Sequence, residues 1–282
     1  MKNARDEAAT DSSDQASAHH PWHRFVAMGD SFTEGFGDPE PLSPGGYRGW
    51  ADRVAEELDT GHGDFSYANL AVRGRTVRQV IDTQLVPALR MAPDLVSFQA
   101  GGNDLIQLGA DPDRLAAAVE PAIEALSAAG ATVILFLGPD SGRQTVLGHV
   151  RTRVALYNED LRAIAAHHGA IVADLWSLRD LSDARMWSAD RLHPSPLGHQ
   201  QVSAMVLNSL GVPHALAPLT VKPMPTRSWS QLRAGDITWT RQYLLPWMLR
   251  AANRRAEETS PAAKRPVPGP VRRTEAARMG GT

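Results

Sequence analysis

The chain has 282 residues, 43% of them apolar, with 29 basic and 31 acidic side chains, a net charge of −2 and no cysteine. This is enough chain for one large domain with a sizeable core plus appendages, and it excludes disulfides, thiol nucleophiles and cysteine-held metals. The charge is uneven: from Lys222 onward there are twelve basic and four acidic residues, so an acidic body carries a basic tail suited to the body itself or to an anionic surface.

The first 22 residues are polar and poor in large apolar groups, and are expected to be a disordered extension. They lack the apolar stretch of a secretory signal. No run approaches the roughly 18 apolar residues of a membrane-spanning helix, so a soluble, cytoplasmic protein is expected. A domain is then predicted over 23–212. "RFVAMG" (Arg24 to Gly29) reads as a buried strand ending in a turn, followed by "AMGDSFTEGFGD", which places Ser31 beside an acid and ahead of two glycines. "YRGWADRVAEEL" predicts a helix, with Trp50, Val54 and Leu58 at four-residue spacing. "YANLAV" (Tyr67 to Val72) and "LVSFQA" (Leu95 to Ala100) are the second and third strands. A helix ending at Gly130 precedes the strand "TVILFLG" (Thr132 to Gly138). A helix ending at Gly169 precedes "AIVADL" (Ala170 to Leu175), and "PLGHQQVSAMVLNSLG" closes the unit at Gly211. The strand runs are continuous rather than alternating, as strands covered on both faces should be. Strand and helix alternating five times predict an α/β fold with a parallel sheet and helices on both faces.

Beyond it, residues 213–258 read as a Pro-rich linker and a helix, "SQLRAGDITWTRQYLLPWMLRAANRR", with Pro246 inside as a kink. This helix is apolar on most sides with basic flanks. Docking on the acidic body is the reading adopted, with peripheral membrane contact as the alternative. Residues 259–282 are expected to be a disordered basic tail.

A serine becomes a nucleophile at neutral pH only with a base, and the base needs an orienting group. "SADRLHPSPLGHQ" supplies Asp190 and His193, three residues apart, so that on one turn the acid can take the Nδ1 proton and leave Nε2 for a serine. An acyl-transfer site also needs donors for the developing oxyanion. Asn103, after two glycines and the third strand, offers an amide; Gly74, past the second, offers a bare backbone N–H. Taken singly, each is ordinary turn chemistry: Asp190 as a cap, His193 as a surface residue, Gly-Gly-Asn-Asp as a turn. Together they follow separate strands at one edge of the sheet, where such folds gather their sites. Asp30, next to Ser31, is assigned to holding the turn. The other histidines show no ligand spacing, His199 is expected to support packing, and no H-E-x-x-H is present.

The ordered set "GDSFTEG", "NLAVRGRTV", "GGND" and "DRLHPSPLGH", spread over residues 24–211, resembles the SGNH hydrolases, the GDSL-type esterase and lipase superfamily. The resemblance implies a three-layer α/β/α sandwich of flavodoxin-like type with a five-stranded parallel sheet. It implies a carboxylic ester hydrolase in which Ser31 is the nucleophile, His193 the base and Asp190 its partner. The N–H groups of Ser31 and Gly74 and the Asn103 amide would form the oxyanion hole, with no metal and no cofactor. Phe32 stands where that family often has Leu. Arg73 and Arg75 flank Gly74 and are candidate contacts for an anionic substrate, with pairing to acids such as Asp104 as the alternative; with Phe32 they form the expected substrate-binding set. The expected partner is a small-molecule ester, with no nucleic acid, and the protein is expected to be a monomer. Two other readings remain: an acyltransferase or carbohydrate O-deacetylase on the same triad, and a non-catalytic binding module.

Overall fold

The computed structural model describes residues 20–59, 65–140, 150–216 and 262–271. In chain order the elements are β1 (Arg24–Met28), α1 (Ser31–Glu34), α2 (Gly49–Leu58), β2 (Ser66–Asn69), α3 (Val77–Val80), a π-helical turn (Ile81–Leu85), α4 (Val86–Arg90), β3 (Leu95–Phe98), α5 (Gly102–Leu105), α6 (Pro112–Ala128), β4 (Thr132–Leu137), α7 (Arg151–His168), β5 (Ile171–Asp174), α8 (Pro196–Ser209) and β6 (Arg265–Gly269). The sheet order is β5-β4-β3-β1-β2-β6. The first five strands are parallel and β6 runs antiparallel on β2. The chain leaves β1 to form β2 on one side and β3 on the other, so the strand order reverses at the end of β1. In open α/β sheets that crevice is where ligands bind.

The continuous apolar strands are explained by a core on each face. Val26 and Met28 of β1 and Val133, Leu135 and Leu137 of β4 face one apolar cluster with α6 and α7. Phe25 and Ala27, with Ile134 and Phe136, face the other, which contains Trp50, Val54 and Leu58 of α2 and Val202 and Val206 of α8. Alternate residues of each strand are thus buried in opposite layers. Gly169 closes α7 in the left-handed conformation, its N–H donating to the Ala165 carbonyl.

Three expectations change. The sheet has six strands, not five. Part of the tail read as disordered is the edge strand β6, and Val271 beyond it is buried in the core. Its prolines, Pro266 and Pro268, fall between the positions paired with β2, and an edge strand pairs on one side only, so the missing N–H groups cost little. At the other end, packing begins before residue 23. Trp22 is buried, and its Nε1 donates to Thr132 Oγ1 at 3.0 Å. Residues 1–19 of the N-terminal extension, the helix of Ser230 to Arg255 and the end of the tail lie outside the described residues. Among the described residues no helix is long and apolar enough to cross a membrane.

Candidate active site

Ser31 opens α1 directly beyond β1. The turn is set by Asp30, whose Oδ1 accepts the Phe32 N–H at 3.0 Å. Behind it, the buried Gln84 in the π-helical turn holds both backbone groups of Gly29, donating to the carbonyl at 2.9 Å and accepting the N–H at 2.8 Å. A π turn adds a residue to a helix and re-aims the side chains that follow; here it aims Gln84 at the end of β1.

His193 arrives from the loop before α8. Ser188 N–H donates to the His193 carbonyl at 2.8 Å, and a bridge pairs Trp187 with Pro194, closing the loop into a tight turn. Arg191 within it takes a left-handed φ of 53°, unfavourable for a residue with a Cβ. The result is that Asp190 faces the imidazole. Its Oδ2 lies 2.7 Å from His193 Nδ1, and its Oδ1 accepts from Ser188 Oγ at 2.6 Å, Leu192 N–H at 2.9 Å and His193 N–H at 3.0 Å. Burial by itself would raise the Asp190 carboxyl, but the bonds and charge of His193, together with Ser188 and Leu192, hold it well below the usual carboxylate range. A carboxylate at Nδ1 puts a proton there and leaves Nε2 as acceptor. Nε2 lies 2.7 Å from Ser31 Oγ. The edge of the Phe36 ring packs on the imidazole at 4.7 Å between centroids. Gly37 passes so close to the Pro194 carbonyl that a Cβ there would lie 2.2 Å from its oxygen, and its φ of 100° suits glycine alone.

Of the two other expected oxyanion donors, Asn103 lines the same cavity as Ser31 and His193, and Gly74 does not. Gly74 occupies a turn with φ 76°. The Arg73 N–H is bound to Glu34 Oε2 at 2.8 Å, and the Arg75 carbonyl to Asn103 Nδ2 at 3.0 Å, so Gly74 is strung between α1 and α5. Asn103 spends its amide on that carbonyl and on Asp30 Oδ2 at 3.1 Å. Asp30 therefore does more than hold its turn: one carboxylate caps the helix that Ser31 opens and anchors the Asn103 amide. Burial pushes its carboxyl up to about 6 against the pull of the Phe32 N–H and the His193 charge. Asp104 is also pushed up to about 6 by burial.

Arg73 does not fit the substrate-contact expectation. Its guanidinium is locked on Glu34, a buried acid of α1, and lies over the rings of Phe36 and Tyr47 at 5.0 and 5.3 Å. Its partner is Glu34 rather than Asp104, which instead accepts the Val77 N–H at 3.0 Å. Arg75 gives the site its carbonyl, and its side chain is half-buried. Phe32 does line the cavity beside Ser31, a space of about 170 Å³. Its walls are largely apolar, with Leu105, Ile106, Phe136, Val154, Leu181 and Trp187 among them. His199 is fully buried and structural, as expected. Its Nδ1 accepts the Trp50 N–H at 3.2 Å and its Nε2 donates to the Phe36 carbonyl at 3.1 Å. Burial pushes it down to about 3, so it stays neutral. Among the described residues one group has metal-ligand types close together: Glu120, His167 and His168, on α6 and the end of α7, at the opposite end of the strands from Ser31.

The model of the GDSL-like lipase/acylhydrolase family matches residues 27–201, a span that contains every residue of this site. No curated protein sequence matches the chain. Solved structures share the fold. LAE5, described as an alpha/beta hydrolase enzyme from the metagenome of Lake Arreo, Spain, is 21% identical with a TM-score of 0.58, covering 67% of this chain and 95% of that one. A catalytic mutant of Axe2, an acetylxylan esterase from Geobacillus stearothermophilus, is 19% identical with a TM-score of 0.58, covering 67% and 94%. TesA is 21% identical with a TM-score of 0.55, covering 67% and 98%.

Proposed function

The chain belongs to the GDSL-like lipase/acylhydrolase family and is a carboxylic ester hydrolase; from that premise we propose that it works through an acyl-enzyme on Ser31 and takes esters with an apolar acyl group of about six carbons. The observation that carries this reading is the 2.7 Å contact of His193 Nε2 with Ser31 Oγ on the wall of a largely apolar cavity. His193 takes the Ser31 proton as Oγ attacks the ester carbonyl. Asp190 keeps the imidazole in the tautomer that can accept it, then stabilises the imidazolium. The Ser31 and Gly74 N–H groups face the developing oxyanion, and the Asn103 amide turns one hydrogen toward it from the Arg75 carbonyl. His193 protonates the leaving alcohol, and water, activated by the same base, releases the acid.

The acyl preference follows from size and polarity. A dry apolar cavity of about 150 Å³ accommodates benzene, and the space beside Ser31 is about 170 Å³. Each methylene removed from water contributes about 0.8 kcal/mol, about fourfold in affinity, until the cavity is full. Axe2 is an acetylxylan esterase by its description; an acetyl group would leave most of this cavity empty, which favours the longer acyl group here. The test is a series of p-nitrophenyl esters. kcat/KM should rise from acetyl to hexanoyl and fall beyond about octanoyl. A maximum at acetyl would overturn the acyl assignment. Ser31→Ala should lose roughly 10⁴-fold or more in kcat with an unchanged melting temperature, and a fluorophosphonate should label Ser31 in the wild-type protein.

A further inference from the structure

β6 lies outside the family-matched segment, yet its approach carries a lysine into the scaffold of the site. Lys264, with 1% of its side chain exposed, sits against Asp52, with 3% exposed. Its Nζ donates to Asp52 Oδ2 at 3.0 Å and to the carbonyls of Tyr47 and Arg48 at 3.0 and 2.8 Å. All three donors of the ammonium are therefore used. Two physical connections run from this point to the catalytic pair. One is aromatic: the Tyr47 ring packs on Phe36 at 4.9 Å, and Phe36 on His193 at 4.7 Å. The other is a chain of hydrogen bonds. Asp52 Oδ1 accepts from Tyr67 Oη at 2.9 Å, Asn69 Nδ2 donates to that same oxygen of Tyr67 at 2.9 Å, and Asn69 Nδ2 also donates to the Thr33 carbonyl in α1 at 2.9 Å. Tyr67 and Asn69 belong to β2, the strand on which β6 pairs.

We propose that Lys264 is a positioning residue for the esterase reaction: from the C-terminal strand it fixes the Tyr47–Arg48 backbone and the Asp52–Tyr67–Asn69 chain, and through them the His193 ring and the Ser31 helix. The catalytic unit is then the family domain together with residues 262–271. A buried cation with three matched acceptors fixes geometry because moving it leaves a charge and carbonyls without partners. Displacing reacting groups by about 1 Å is enough to cost on the order of a hundredfold in rate. The proposal rests on the assignment of Ser31 and His193 above.

The test uses the full chain. Lys264→Met, of similar length without the charge, should lower kcat on p-nitrophenyl hexanoate between about ten- and a hundredfold, with KM within about twofold, and should slow fluorophosphonate labelling of Ser31 in proportion. Both are read well below the variant's melting temperature. Because this variant leaves Asp52 buried without its cation and can fail to fold, K264M/D52N removes both charges while the amide oxygen introduced at position 52 still accepts from Tyr67. It should fold and remain at least about tenfold slow, since the Tyr47 and Arg48 carbonyls still lack their donor. A folded variant, single or double, with wild-type kcat and labelling rate would overturn the proposal and leave Lys264 a stabilising residue only. Failure of the fluorophosphonate to label Ser31 in the wild-type chain would instead sink the underlying mechanism.

Discussion

Ser31 stands between two unlike regions. Toward β2 and β6 the structure is built from charge pairs whose acids are buried: Glu34 with Arg73, Asp38 with Arg53, Glu56 with Arg48 and Asp52 with Lys264. Toward β3, β4 and β5 it is an apolar cavity lined by Leu105, Ile106, Phe136, Val154 and Leu181. The contrast teaches a division of labour. Directional, mutually satisfied bonds specify position, and on the proposed mechanism that is what the reacting groups need. Apolar surface contributes affinity with little direction, which suits the proposed acyl site. Substitutions in the first region should therefore damage stability and kcat together, and substitutions in the second should change which ester is preferred.

The largest effect is expected from breaking a charge pair. Arg53 and Asp38 are both buried, and Asp38 also accepts the Gly49 N–H at 2.9 Å. Burial would raise Asp38, but the bond and charge of Arg53 hold it below its ordinary 3.8. Arg53→Met leaves a buried carboxylate without its cation and should cost about 3–5 kcal/mol, a fall in melting temperature of roughly 10 °C. Because the folded-state value is depressed, the wild-type pair stabilises the protein above about pH 4 and loses that contribution as pH falls through the lower folded-state value. The melting-temperature gap between variant and wild type should close on acidification. An equal gap at pH 3 and pH 7 would show that the charge pair does not hold this region.

Asp30 sharpens the comparison, because its carboxyl is raised by burial where Asp38 is lowered by a cation. Its folded-state value of about 6 lies above the ordinary 3.8, so its contribution to stability is full below about pH 4 and lost as pH rises through 6. That loss amounts to about 2–3 kcal/mol at neutral pH. Asp30→Asn should therefore melt higher than wild type at pH 8 and about equally at pH 4. The same change should lower kcat about tenfold, since the Asn103 amide loses its carboxylate acceptor. Thermal melts across this pH range, with kcat on one ester, separate the two effects. A variant less stable at pH 8 would refute the burial account.

On the apolar side the expected effects are selective. Ile106 is half-buried on the cavity wall, and Ile106→Trp should fill space without opening a void. Hexanoyl ester turnover should fall by about 10–200-fold, the scale on which hydrophobic pockets discriminate by size, while acetyl ester turnover changes about threefold or less. Uniform loss across the series would place the acyl group elsewhere.

These two regions were not equally legible in the sequence. The five parallel strands were, because burial on both faces writes unbroken apolar runs, and so was the grouping of Ser31, Asp190 and His193, which the structure brings into 2.7 Å contacts. β6 was not: "RPVPG" carries two prolines, and only its position at a sheet edge makes them tolerable. The helical stretch of α3, the π turn and α4 was also missed. Thr83 and Gln84 interrupt its apolar stripe and Pro87 reads as a breaker, whereas in the structure Gln84 turns inward to bind Gly29 and Pro87 stands in the first turn of α4. The charge pairs were hidden for a different reason. Glu34 and Arg73 are 39 residues apart, and no local pattern links them; the sequence offers Arg73 as a candidate substrate contact beside Gly74, an expected oxyanion donor, or as the partner of an acid, without showing that the acid is Glu34.

Phe32 joins the regions, and the smallest effect is expected there. It lines the cavity, and its ring packs against Trp50 at 6.2 Å, Phe136 at 5.9 Å and His199 at 6.1 Å, the last fixed by the Phe36 carbonyl. Phe32→Leu keeps an apolar group and should cost about 1 kcal/mol of stability, the ring contacts beyond simple burial being worth about that much. It also adds space at the seam of the cavity, so the best acyl chain should lengthen by about one or two carbons while kcat on the hexanoyl ester stays within about threefold. If Phe32 belonged to the positioning region instead, kcat would fall for every ester with no change in chain-length preference, and the division between a side that positions and a side that receives would have to be redrawn around this ring.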